Sequence, residues 1–125
     1  MGKGNEKLID PNLVGSLLYD DDNYIVEFAE ASVDSFSTFK SQFADSLLQR
    51  DMINLRKAGH KIKPVAQILQ VDVIIEKYEQ SKQLLEENTP SGELEELAEE
   101  VSTLCNRIID EFESMIRHHK IQNGE

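Results

Sequence analysis

The sequence predicts an all-α protein: an antiparallel up-down four-helix bundle with a short extra N-terminal helix. Three observations carry that expectation. Apolar residues recur at intervals of three and four over most of the chain. Glycine and proline number only six and three in 125 residues, and they gather at tails and boundaries. No strand-like alternation between paired turn signals occurs, and no internal repeat is visible.

Each element has its own signal. Asp10-Pro11 reads as a cap followed by a first helical position, opening a short amphipathic piece over 11–18. The run Asp20-Asp21-Asp22 reads as a loop leading into a helix start, where negative charge is favoured. From Asn23 onward Ile25, Phe28, Ser32, Phe36, Phe39, Phe43 and Leu47 form one buried stripe, with Ser32 its only polar member. Asp51 opens the next helix, whose stripe is Met52, Leu55, Gly59, Ile62, Ala66 and Leu69. Gly59 in that stripe costs about 1 kcal/mol against alanine, and the expected compensation is close approach of a neighbouring helix or a bulky side chain. Asp72 is expected to cap a further helix with Ile74, Ile75, Tyr78 and Leu85 inward. Residues 88–92, Asn-Thr-Pro-Ser-Gly, form the clearest turn. The last helix carries Leu94, Leu97, Val101, Leu104, Ile108, Phe112 and Met115, fraying from about His118. The short connections at 49–51 and 88–92 force the helices they join to be antiparallel. One domain over 10–118 is expected, with a flexible tail over 1–9 and a frayed one over 119–125.

Composition narrows the function classes. The chain has 13 Lys+Arg against 24 Asp+Glu, a formal net charge of −11. That balance argues against a generic nucleic-acid binder and against anionic membranes, both of which require a basic surface. Hydrophobic content of 39% with charged content of 30% suits a folded, water-soluble domain. No apolar run is long enough to span a bilayer, and the N-terminus has no signal-peptide pattern. The single cysteine, Cys105, has no partner for an internal disulfide, so a cytoplasmic location is expected.

Net charge conceals its distribution. Between Arg50 and Lys63 stand five basic residues (Arg50, Arg56, Lys57, Lys61, Lys63) and one acid, Asp51; from Met52 to Val71 there is no acid. A segment of net +4 is therefore set in a chain that is otherwise net −15. On a helical wheel His60 lies roughly 130° from the centre of the buried stripe, hence on the open face. Arg56 and Lys57 lie one turn before it, Lys63 and Pro64 one turn after, and Gln67 two turns after. A neutral imidazole is a nucleophile near pH 7, and cations around it would stabilise phosphoryl oxygens, with lysine acting as a point charge. Ile53 shares the face at i−7 and Ile68 lies near its edge. Exposed apolar residues there suit a partner surface; the other reading is that the 11–18 segment covers them.

Gly59-His60-Lys61-Ile62-Lys63, a His-x-x-Lys in mid-helix after a long phenylalanine-rich helix, resembles the motif of histidine-containing phosphotransfer (HPt) domains. In that family a helical bundle presents an exposed phospho-accepting histidine. The stretch from Leu55 into the motif is similar too, with Gly59 as the small residue before the histidine, and the resemblance covers the order of helices from about Asn23 to Phe112. It implies a phosphorelay intermediate of two-component signalling. His60 would accept a phosphoryl group from a receiver aspartyl phosphate and pass it to another receiver. Lys63 would stabilise that group, and Ile53, Arg56, Lys57, Gln67 and Ile68 would form the docking face. The partners implied are receiver domains of response regulators or hybrid histidine kinases. The receiver would bring Mg²⁺, so this chain would hold no cofactor or metal of its own. Two positions depart from the family pattern: Pro64 stands where glycine usually follows the lysine, and Gln70 where many members have glycine near the helix end. Pro64 lacks an N–H and crowds the carbonyl four residues back, so a kink at the active turn is expected.

The chain has no nucleotide-binding motif and too little length for an ATP-binding domain, so it is not expected to be a kinase. His118 and His119 follow Glu113 without a Glu-x-x-His pair, which leaves a di-iron bundle unsupported and favours a polar tail. Cys105 reads as a small core residue, and Glu93, Glu95, Glu96, Glu99 and Glu100 as a solvated face. The rival function is a non-catalytic helical adaptor, a protein-interaction module whose basic segment docks an acidic partner.

Overall fold

The computed structural model describes residues 7–122, all of whose regular structure is helical: α1 (Pro11–Leu17), α2 (Asp22–Leu48), α3 (Met52–Leu69), α4 (Asp72–Glu86) and α5 (Ser91–Gln122). The starts follow local chemistry. Asp10 accepts from the Asn12 N–H at 2.9 Å, Asp21 from Tyr24 N–H at 3.1 Å, and Asp51 from Asn54 N–H at 3.1 Å. The Asn54 amide also donates to the second Asp51 oxygen at 2.6 Å. These bonds hold the Asp51 carboxyl below the usual range, the Asn54 backbone N–H contributing most. Asp72 does not cap α4 as expected: it is the first helical residue, and the cap, Val71, makes no side-chain hydrogen bond.

The helix ends share one device. After α2 the Asp51 N–H reaches the Ser46 carbonyl at 2.8 Å and Arg50 N–H reaches Leu47 at 3.1 Å. Val71 and Gln70 do the same to Ala66 and Gln67 after α3, as do Thr89 and Asn88 to Leu84 and Leu85 after α4. These are Schellman closures, whose pivot residue takes a left-handed conformation that glycine normally supplies. Here the pivots are Arg50, Gln70 and Asn88, with φ of 57°, 59° and 53°. At the end of α3 a glutamine, Gln70, thus occupies a geometry that glycine normally supplies. Gln70→Gly relieves a left-handed Cβ penalty of about 1 kcal/mol, and its thermal midpoint is expected to rise by a few degrees. A midpoint equal to or below that of the parent chain would refute the strain.

The core is continuous. Phe36, Phe39, Phe43 and Leu47 of α2 meet Leu55, Ile62, Ala66 and Leu69 of α3, Ile74 and Tyr78 of α4, and Leu97, Val101, Cys105, Ile108 and Phe112 of α5. Phe36, Phe39 and Phe43 are core, as their spacing predicts, with the Phe39 and Phe43 rings 5.4 Å apart, whereas Phe28 is only partly buried and sits edge-on to Phe112 at 6.1 Å. Cys105 is fully buried, and burial pushes its thiol up to about 12. α2 packs chiefly on α5 and next on α3, while α4 bridges α3 and α5. Arg50 Nη2 donates to the Thr89 carbonyl at 2.6 Å, tying the α2–α3 connection to the α4–α5 connection.

Three boundaries differ from expectation. Ser91 and Gly92 belong to α5 rather than to the turn before it. α5 also runs past His118 to Gln122, since Ile116 packs on the core and His119 Nδ1 lies 2.6 Å from Asp22 Oδ1. At the other end, Ile9 is buried, and the N–H groups of Leu8 and Ile9 donate to the two Glu111 oxygens at 3.0 and 2.8 Å. Leu8 and Ile9 are therefore anchored to α5. The rest of the expected tails, 1–6 and 123–125, lies outside the described residues. No described helix is long and apolar enough to cross a membrane.

Candidate functional site

The centre of α3 is built from its buried side outward. Leu55, Ala58, Gly59, Ile62, Ala66 and Leu69 are buried, which turns His60 to solvent. Gly59 owes its place to Tyr78 of α4. A Cβ built on Gly59 would fall among the ring atoms Cζ, Cε1 and Cε2 of Tyr78, itself only 2% exposed. The tyrosine thus lies directly beneath the backbone that carries His60, and Lys82 Nζ sits 4.8 Å from the ring centroid on its face. The close approach expected at Gly59 is a ring from the adjacent helix.

α3 continues through Pro64 to Leu69. Proline supplies no N–H at position 64, so the His60 carbonyl lacks its usual intrahelical donor. Pro64 is exposed, and water can reach that turn.

The cations divide to either side of His60. Lys57 and Lys61 border the groove between α2 and α3, alongside Gln42 and Asp45. Arg56 borders the groove between α3 and α4, alongside Glu79, Lys82 and Gln83. Lys63 is half-buried, with its Nζ 3.4 Å from Glu79 Oε2, while Glu79 Oε1 lies 3.0 Å from Lys82 Nζ. The Lys82 ammonium, and after it that of Lys63, holds the Glu79 carboxyl below its usual range. Among the described residues Arg56, Lys57 and Lys61 form no ion pair, so their charge faces outward.

Ile53 is 72% exposed and Ile68 54%. α1 does not cover them, and the choice left open by the sequence falls to exposed apolar side chains flanking the basic face. Gln67 is exposed as well. His60, Lys63, Ile53, Arg56, Lys57, Gln67 and Ile68 all lie on the outward side of one helix or at its edge.

Glu79, Lys82 and Tyr78 escaped the sequence reading as site residues. Gly59 was the available signal for Tyr78, because a glycine in a buried stripe requires something large opposite. Glu79 carries no such signal, since nothing within α4 marks which of its acids meets α3. His118 and His119 stack edge to face at 5.0 Å on α5. Among the described residues no group of three or more His, Cys, Asp or Glu side chains gathers as a metal site. No protein-family model matches this chain, and comparison with curated proteins and with solved structures returns no match, so its own residues carry the functional reading.

Proposed function

We propose that the chain is a phosphorelay intermediate that takes a phosphoryl group from a receiver aspartyl phosphate onto His60 and hands it to a second receiver. One observation carries this reading: an exposed imidazole stands on the basic face of a helix that contributes no acid of its own, with Lys63 one turn away and a buried glycine and tyrosine behind it. The scaffold is read as an up-down antiparallel four-helix bundle with α1 as an extra helix. Contacts between α2 and α5 support it, since Lys40 bonds Asn106 at 2.7 Å whereas Asp22, earlier in α2, bonds His119, later in α5. A relay of this kind works in the cytoplasm, the compartment that suits one buried cysteine.

In the forward step a ring nitrogen of His60 attacks phosphorus. The N–P bond forms as the O–P bond to the receiver aspartate breaks, and the freed carboxylate keeps the electron pair. Lys63 faces the phosphoryl oxygens, and Arg56 and Lys57 draw the acidic rim of the receiver towards the same face. Ile53 and Ile68 supply apolar contact at its ends. Mg²⁺ belongs to the receiver, which uses it to hold the aspartyl phosphate.

Incubating the chain with a phosphorylated receiver and Mg²⁺ tests the reading. Acid-labile phosphohistidine is the expected product. Binding without transfer would replace the relay by the adaptor, a module that docks an acidic partner and does no chemistry. Lys63→Ala is expected to slow transfer by roughly tenfold, the loss of one point charge on a partly solvated phosphoryl group, with helical content unchanged. An unaltered transfer rate would remove Lys63 from the step.

A further inference from the structure

α4 places one carboxylate, Glu79, against the basic face, and divides it between two lysines. We propose that Glu79 is a positioning residue for Lys63, holding its ammonium on the α4 side while His60 is unmodified and releasing it when His60 is phosphorylated. Lys82 is the counter-ion that permits the release. The inference rests on the phosphorelay reading.

The geometry is asymmetric in the direction this requires. Glu79 Oε1 is 3.0 Å from Lys82 Nζ, whereas Glu79 Oε2 is 3.4 Å from Lys63 Nζ. Lys82 is further held over the Tyr78 ring and is the more covered of the two, with its side chain 26% exposed against 38% for Lys63. Lys63 is therefore the partner that can leave, and Glu79 keeps a charged neighbour when it does. A phosphoryl group on His60, one turn from Lys63, carries more negative charge than Glu79 and competes for the same ammonium. The carboxylate thus draws stabilisation away from phosphohistidine and keeps the group transferable. No other described carboxylate forms an ion pair with a cation of α3, whose own sequence has no acid.

The readout is the equilibrium ratio of phosphohistidine to aspartyl phosphate when the full chain is mixed with a phosphorylated receiver domain and Mg²⁺. Transfer moves one phosphoryl group between aspartate oxygen and histidine nitrogen and consumes nothing else, so the ratio measures the relative stability of the two phosphorylated states. Glu79→Gln is expected to raise it by about two- to fivefold, the range that a partly exposed ion pair commands. Lys82→Met, which leaves Glu79 with Lys63 alone, is expected to lower it. In a Lys63→Ala background Glu79→Gln is expected to change nothing, because its effect passes through Lys63. An unchanged ratio in the single Glu79→Gln variant overturns the proposal. So does an equal rise in the Lys63→Ala background, which would make Glu79 a direct repulsive charge on the phosphoryl group. Both results leave the relay itself standing, whereas absence of label on the parent chain overturns relay and positioning role together.

Discussion

His60→Gln is expected to abolish the proposed acid-labile phosphorylation by a phosphorylated receiver while the circular dichroism spectrum and thermal midpoint stay those of the parent chain. Two parts of the structure make the separation clean. His60 is exposed on α3, and a surface substitution of this type moves stability by about 0.5 kcal/mol or less. Glutamine keeps helix propensity and hydrogen-bonding capacity but offers no nucleophilic nitrogen. The variant also discriminates among the three histidines. His118 and His119 lie near the far end of α5, the latter bonded to Asp22, away from the acid-free segment. Label that persists undiminished in His60→Gln would transfer the acceptor role elsewhere and end the present reading.

Gly59→Ala has the largest expected effect on the fold. In an open helix that change is stabilising by about 1 kcal/mol. Here the new methyl would lie within the Tyr78 ring, and the ring is enclosed by core. Either Tyr78 leaves its rotamer or α3 and α4 move apart, and overpacking of this kind costs about 1–3 kcal/mol or more. A net loss near 2 kcal/mol corresponds to a fall of roughly 6–10 °C in thermal midpoint for a chain of this size. Pairing the change with Tyr78→Leu, which vacates the ring's outer half, is expected to recover part of that loss relative to the Tyr78→Leu single variant. A midpoint at or above that of the parent chain would show that the ring yields freely and that Gly59 is not required for the contact.

How far the molecule can be read from its sequence depends on the range of the determining contact. α1, α2 and α3 begin where an aspartate can accept a backbone N–H from two or three residues on, an interaction contained within one turn. The buried stripes follow from periodicity, and with them the exposure of His60, because facing outward is the complement of a stripe facing inward. Errors arise where distant residues decide. Ile9 is anchored by Glu111, more than one hundred positions away, so a polar-looking start conceals an ordered segment. His119 extends α5 through Asp22 for the same reason. At Ser91 and Gly92 turn-forming residue types sit inside a helix, which Pro90 immediately precedes. Within the site, Lys63 and His60 share a helix and were legible together, whereas Glu79 enters only through the register of α4 against α3.

The closures at Arg50 and Gln70 have a consequence for association. They end α2 and α3 by paired backbone hydrogen bonds, and α3 is pinned between them with Tyr78 seated under its middle. A helix so constrained has little freedom to slide, rotate or fray when a second protein approaches. A protein docking on the face that bears His60 would therefore meet it already ordered, and the entropy usually spent on arranging an interface would be small on this side of the encounter. Pre-organisation of this kind lets contact form without rearrangement of the face, and because it lowers the cost of binding it leaves affinity to be set by the contacts themselves. The proposed carrier, visiting one protein and then another, would meet both with the same unaltered face.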